Sequence, residues 1–297
     1  MRLGTYSIIA RDAVSGELGV AVQSHWFSVG GIVAWARAGV GAVATQSIAE
    51  PAYGPRLLAR LGAGEAAPDA LSELVGADEQ GAVRQVAVVD ASGRVACHTG
   101  QRCIAHAGDA AGDGYSAQAN MMAAPGVWPA MARAYECAAG PLARRLMAAL
   151  HAAEAAGGDV RGRQSAALLV VPGAGEGWET VRDLRVEDSI EPLAELDRLL
   201  DIADAYELAS EGDDLAGRGM HAEAGERYVR ASALAPGNHE LVFWSGLAAA
   251  QAGDMPLALE RVRQAIAARP AWRELLERLE PGIAPGADAV RRALEAG

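Results

Sequence analysis

The runs TYSIIAR (5–11), ELGVAVQS (17–24), GGIVAWAR (30–37) and GVGAVATQ (39–46) follow one another with only turns between them. Short apolar runs of this kind, bounded by turn residues, predict strands. Strands this close in sequence pair antiparallel, because a parallel crossover needs a dozen or more residues. Further along, Leu57, Leu58, Leu61, Ala70, Leu71 and Leu74 recur mostly at three- and four-residue spacing, so 53–76 is expected to be helical. RQVAVVD (84–90) and GRVACHTG (93–100) join through Ala91-Ser92 as a hairpin, and GYSAQANMM (114–122) reads as another strand. Residues 127–157 read as one or two helices, with Pro141 near a helix start, and RQSAALLVV (163–171) and WETVRDLRV (178–186) as closing strands. The helices are grouped rather than alternating with strands, which predicts an α+β fold of sheets carrying helices on their outer faces.

The pattern changes near residue 200, so a domain over 1–200 and a smaller all-α domain over 201–297 are expected. An offset of 34 pairs Leu208 with Val242, Gly212 with Gly246, Gly219 with Gly253, Ala224 with Ala258, Tyr228 with Val262, Ala231 with Ala265 and Pro236 with Pro270. This is the period and residue placement of a tetratricopeptide repeat, whose antiparallel helices close where Gly or Ala removes side-chain bulk. Repeats are expected at 205–238 and 239–272. Each buries its face only against a neighbour, so 193–203 should pack ahead of them and 286–296 should act as a C-terminal cap. Such a domain binds a peptide, mediates self-association or simply pads its neighbour.

Composition narrows the chemistry. All 26 basic residues are arginine, against 38 acidic residues, for a formal net charge of −12. Without lysine there is no phosphate loop ending Gly-Lys-Ser/Thr and no Schiff-base or general-base lysine. The acidic excess is shared by both parts of the chain and no basic stripe emerges, which argues against nucleic acid or an anionic membrane as partner. MRLGTYSIIARD lacks the apolar core of a secretory signal, and no apolar run is long enough for a membrane span. Cys97, Cys103 and Cys137 have no paired metal-like spacing, so the cytoplasm is the expected compartment, with no metal and no cofactor. His25 and His98 stand alone. Cys97 and His98 are neighbours on a strand and point to opposite faces, which prevents a Cys–His pair. There is no GxSxG elbow, and the glycines of 172–177 precede a strand rather than a helix, so a dinucleotide site fails.

What remains is Gly4-Thr5-Tyr6-Ser7, opening the first strand. A Gly-Thr junction at a strand start is where an N-terminal nucleophile is exposed. Once Thr5 is the first residue, its own α-amine can serve as base, since such an amine titrates near 7.7–8.0 rather than at the roughly 10.4 of lysine. The junction also occurs in ordinary strands, so the motif alone leaves a purely structural reading open. Ser7 has the same strand parity and is the second candidate nucleophile.

The segments TYSIIARDAVSGELGVAVQS, WARAGVGAVATQ, YGPRLLARLGAG, RQVAVVDASGRVACHTG and GRQSAALLVV resemble the domain-of-unknown-function family numbered 1028, whose members look like N-terminal-nucleophile hydrolases. The resemblance runs over about 4–200. It implies a four-layer αββα sandwich and an amidohydrolase-like site in which Thr5 attacks a carbon–nitrogen amide. Here Met-Arg-Leu-Gly precedes Thr5 and must be removed, by attack of Thr5 on the Gly4 carbonyl. Arg37, 32 residues after Thr5 near where proteasome-like relatives place a lysine, is expected to lower the nucleophile's pKa by its charge. Gln23, Ser24, Gln46 and Asn120 suit oxyanion donation or substrate orientation, as do Arg163, Gln164 and Ser165, with Arg163 able to hold a carboxylate bidentately. The expected partner is a small-molecule amide or a peptide. The alternatives are a non-catalytic scaffold or peptide-binding protein on an inactive hydrolase fold, and a peptidase.

Overall fold

The protein is described from a computed structural model covering residues 2–296. Contacts divide the chain into two compact units, Met1–Asp197 and Arg198–Gly297. The first unit runs β1 (Arg2–Leu3), β2 (Thr5–Arg11), β3 (Leu18–Ser24), α1 (Gly30–Val33), β4 (Ala34–Arg37), β5 (Gly41–Ile48), α2 (Tyr53–Gly62), α3 (Ala67–Gly76), β6 (Arg84–Asp90) and β7 (Val95–Thr99). It continues with β8 (Gly108–Gly112), β9 (Tyr115–Asn120), α4 (Val127–Cys137), α5 (Leu142–Ala155), β10 (Ser165–Val171) and β11 (Arg182–Val186).

Two antiparallel sheets result. One orders β1-β5-β6-β7, with β4 also on β5; the other orders β11-β10-β3-β2-β9-β8. Residues opposite one another in register share a face, which sorts the side chains. Val43, Val86 and Val88 face outward and cluster with Tyr53, Leu57, Leu58, Leu61 and Leu71 of α2 and α3. On the six-stranded sheet, α5 packs on β2, β3 and β10, and α4 on β8 and β9. Gly19 admits α5: a Cβ there would lie 2.7 Å from Leu146 Cδ1. Between the sheets, Ile9, Leu18, Val20 and Val22 meet Ala42, Ala44, Ala87 and Val89 in one apolar cluster. Toward the other end of the same strands, the inward positions become Thr5, Ser7, Ser24, Gln46, Gln85, Gln118 and Asn120, all buried. The layer between the sheets is therefore apolar at one end and polar at the other.

Three local expectations change. GGIVAWAR is α1 followed by β4 rather than one strand, because Gly30, Ile32 and Val33 form an apolar run without alternation, which period alone cannot assign. The helical block at 53–76 breaks into α2 and α3 around Gly64, whose φ of +93° suits a helix end, and Pro68 opens α3. Strand β8 carries no β-branched residue and no sequence signal announced it.

The second unit is helical. It begins within α6 (Pro192–Gly217) and continues with α7 (His221–Leu234), α8 (His239–Gln251), α9 (Met255–Ala268), α10 (Ala271–Arg278) and α11 (Ala287–Glu295). The 34-residue offset has a physical basis. A Cβ at Gly212 would stand 2.9 Å from the Tyr228 ring, and one at Gly246 would stand 2.9 Å from Val262 Cγ2, so equivalent glycines admit equivalent side chains. Gly219 and Gly253 make the matching turns with φ of +77° and +87°, a conformation that disfavours other residues. The expected cap segment forms α11, whose Ala287 and Val290 are buried against α8 and α9.

Candidate active site

The chain changes sheets at Gly4. Before it, Leu3 pairs with Ser47 of β5; after it, Thr5 pairs with Ser24 and Asn120 in the centre of the other sheet. Ser24 in turn pairs with Ser165, so Ser165, Ser24, Thr5 and Asn120 form one polar row across four strands. Two of the three non-glycine residues with left-handed φ among those described border this crossover: Ser47 (+70°) and Met121 (+60°). Backbone of this kind persists where surrounding structure holds it, and it clusters at functional sites.

Within the row, Thr5 Oγ1 donates to Ser24 Oγ at 3.2 Å, and Ser24 Oγ donates to the Gly4 carbonyl oxygen. That oxygen also accepts from Arg161 Nη2 at 2.9 Å. Arg161 is clamped by Asp159, with Nε 3.0 Å from Oδ1 and Nη2 2.7 Å from Oδ2. The carboxylate is wholly buried and also accepts the backbone N–H of Arg161 and of His25. A charge-assisted pair of this geometry fixes the guanidinium strongly. The Gly4–Thr5 peptide carbonyl is thus polarised by a cation and a hydroxyl, with a threonine hydroxyl on the next residue. A two-bond proton path runs from Thr5 through Ser24 to the same oxygen.

Behind Thr5 lies a network joining the two sheets. Ser7 Oγ donates to Gln46 Oε1 at 2.7 Å and accepts from Gln118 Nε2 at 2.6 Å. Gln85 Oε1 accepts from Gln46 Nε2 at 2.8 Å and Asn120 Nδ2 at 3.0 Å, while Gln85 Nε2 reaches Thr99 Oγ1 at 2.9 Å. Held between two amides, Ser7 has no base beside it. Gln46 and Asn120 border Thr5 as building groups of the site, and Asn120 Oδ1 is buried with no hydrogen-bond partner.

Other residues expected at the site lie elsewhere. Arg37 is exposed, pairs in register with Gly41 and shares the outward face of Trp35 and Val43. Gly41 is five residues from Gln46, roughly 17 Å along the strand, so the Arg37 charge does not reach Thr5. Gln23 is one position before Ser24 and faces outward; turned with its nitrogen toward Glu154, it donates to Oε2 at 3.0 Å. Tyr6 joins this outer group through Glu154 at 2.7 Å, and burial, then Glu154, hold its hydroxyl well above the usual phenol range. Arg163 pairs with Glu154 and Glu191, and Gln164 with Asp188. Ser165 stays in the row but donates to Trp26 O and accepts from Val29 N–H, capping the loop before α1. Arg161 and Asp159, which the sequence reading did not single out, are the charged groups at Gly4. Their local signal is Asp159-Val-Arg161-Gly162, an arginine two residues from its own carboxylate.

The cysteines lie outside the polar row of Thr5, although Cys97 meets the network behind it through Asp109 and Thr99. Cys97 faces inward and donates to Asp109 Oδ2 at 2.9 Å, whereas His98 faces outward with Nε2 2.8 Å from Gly81 O. Burial first, and then Asp109, push the Cys97 thiol up to about 12. Thiolate is the reactive form, so at pH 8 iodoacetamide should modify the exposed Cys137 and spare Cys97. Peptide mass mapping reads this directly; rapid labelling of Cys97 in the folded protein would contradict its burial. Among the described residues no three His, Cys, Asp or Glu side chains group as metal ligands, and no helix is long and apolar enough to cross a membrane.

Fold and site together define a mixed α+β protein of antiparallel sheets, followed by a helical region, with a polar site at the strand junction of Thr5. The chain belongs to the family of unknown function DUF1028, whose model matches residues 5–196. It is similar to the crystal structure of protein SPO2555 from Silicibacter pomeroyi, of the same family. The two are 30% identical with a TM-score of 0.61 over 67% of this chain and 88% of that one. No curated protein matches it.

Proposed function

We propose that the first unit is an amidohydrolase of the N-terminal-nucleophile type, a four-layer αββα sandwich that frees Thr5 by cutting its own Gly4–Thr5 bond. The observation that carries this is the Gly4 carbonyl, held by Arg161 and Ser24 beside the Thr5 hydroxyl. Thr5 Oγ1 attacks the Gly4 carbonyl carbon, its proton passing through Ser24 to the carbonyl oxygen. Collapse breaks the C–N bond, the proton moves to the Thr5 nitrogen, and an ester on Oγ1 remains. Water hydrolyses that ester and releases Met1–Gly4 as a free carboxylic acid. Thr5 then carries an α-amine, and Asn120 Oδ1, buried without a partner and opposite Thr5 in register, is our candidate acceptor for it.

On an external amide the same hydroxyl attacks, the amine carries the proton to the leaving nitrogen, and water resolves the acyl-enzyme. The substrate is a small carbon–nitrogen amide, with a peptide as the wider alternative, in the cytoplasm. The second unit is read as two tetratricopeptide-like repeats, supported by equal helix spacing and equivalent glycines. Its concavity of about 500 Å³, lined by Asp213, Tyr228, Trp244 and Gln251, favours a bound peptide or self-association. A non-catalytic scaffold is the second reading, favoured by Thr5 having no solvent exposure while residues 2–4 are attached.

Intact mass spectrometry separates the two. The wild-type protein is expected to lose Met1–Gly4, and Thr5→Ala to keep them and lose amidase activity. A wild-type chain that stays full length, or activity that survives Thr5→Ala, overturns the proposal.

A further inference from the structure

We infer that the site selects acyl groups whose α-carbon bears no L-side chain: glycyl amides and other amides with a CH2 beside the carbonyl. This rests on the assignment of Thr5 as nucleophile. The ester formed in self-cleavage is an acyl-enzyme whose acyl group is the leader. Gly4 therefore marks where the α-carbon of any acyl group lies when its carbonyl oxygen takes the Arg161 and Ser24 hydrogen bonds.

That position has no room for a substituent. A Cβ on Gly4 would stand 2.6 Å from Arg161 Nη2, 2.9 Å from Asp159 Oδ2 and 2.9 Å from Met121 Sδ. Arg161 cannot swing aside cheaply, because the same nitrogen binds the carbonyl oxygen and Asp159. Asp159 cannot yield either, since its side chain is wholly buried and holds the His25 N–H as well. A side chain at this carbon thus displaces the group that polarises the carbonyl, and the loss falls on the reacting step. Met121 is the one neighbour that takes no part in these hydrogen bonds, and its φ of +60° would suit glycine.

The test uses the full chain with Thr5 as its first residue, made if necessary by cutting a removable fusion ahead of Thr5. Glycine p-nitroanilide is expected to exceed L-alanine p-nitroanilide in kcat/KM by about tenfold or more, and Met121→Gly to narrow that ratio. In the uncut chain, Gly4→Ala should slow leader loss by a similar factor, with Met121→Gly restoring part of it. Equal kcat/KM for the two anilides overturns the selectivity and leaves the nucleophile assignment standing. If neither anilide reacts but the leader is lost, the rate for Gly4→Ala decides: slower supports the inference, unchanged overturns it. If neither anilide reacts and the leader stays, the nucleophile assignment falls and the selectivity falls with it.

Discussion

Arg161→Ala is expected to slow loss of Met1–Gly4 about 10²–10³-fold, the usual consequence of removing one donor from a developing oxyanion. Arg161 Nη2 is the cation on the Gly4 oxygen, and with no lysine in the chain an arginine is the only side chain able to supply a permanent positive charge. An arginine cannot accept a proton, so its part is electrostatic and the proton path must run through Ser24. The substitution also strands Asp159. A buried carboxylate stripped of its partner costs about 3–5 kcal/mol, and instability alone could mimic a chemical defect. Arg161→Ala with Asp159→Asn removes that charge, and should recover much of the melting temperature while cleavage stays slow. Cleavage that returns with stability in the double variant would show that Arg161 only holds the fold. Time-resolved intact mass beside thermal unfolding of each variant separates these outcomes.

Gln85→Leu is expected to destabilise the first unit by about 4 kcal/mol, although leucine nearly matches the volume lost. Gln85 Oε1 is the acceptor for Gln46 Nε2 and Asn120 Nδ2, and its amide nitrogen serves Thr99 and the carbonyls of Gly108 and Ala119. Asn120 Nδ2 would lose its acceptor, Gln46 Nε2 would keep only the Thr5 and Gln118 carbonyls at 3.4 Å, and the Gly108 and Ala119 carbonyls would lose a donor. Each buried group left unsatisfied costs about 1–3 kcal/mol. In a domain of this size that lowers the melting temperature by roughly 10 °C, which calorimetry reads. A loss under about 1 kcal/mol would mean that water or a rearranged partner satisfies these groups. Because Asn120 pairs with Thr5, the same substitution should also slow leader loss.

Much of the fold was legible because its signals are local. TYSIIAR, ELGVAVQS, GVGAVATQ and RQVAVVD carry β-forming residues between turn residues, and these became β2, β3, β5 and β6. Gly4-Thr5 stood out as a strand opening, and Ser24, Gln46 and Asn120 as polar residues on apolar strands. Parity along a strand also separated Cys97 from His98. Gln23 differs from Ser24 by one position, and that single step puts it on the outer face with Tyr6 and Glu154. Arg37 was matched by its distance in sequence from Thr5, which says nothing of the end or face of the sheet on which it falls.

By itself the sequence determined the antiparallel pairing of β2 with β3 and of β4 with β5, the 34-residue period of the helical part, the absence of lysine and the position of Gly4-Thr5. All of these follow from side-chain period, turn chemistry and residue inventory, which act over a few residues. Only the tertiary structure decided which charge meets Thr5. Arg161 lies 157 positions from Gly4 and reaches it because the chain crosses between sheets at Gly4 while β10 brings the 159–162 loop to Ser24. Register between strands distant in sequence sets that meeting, and no local pattern encodes it.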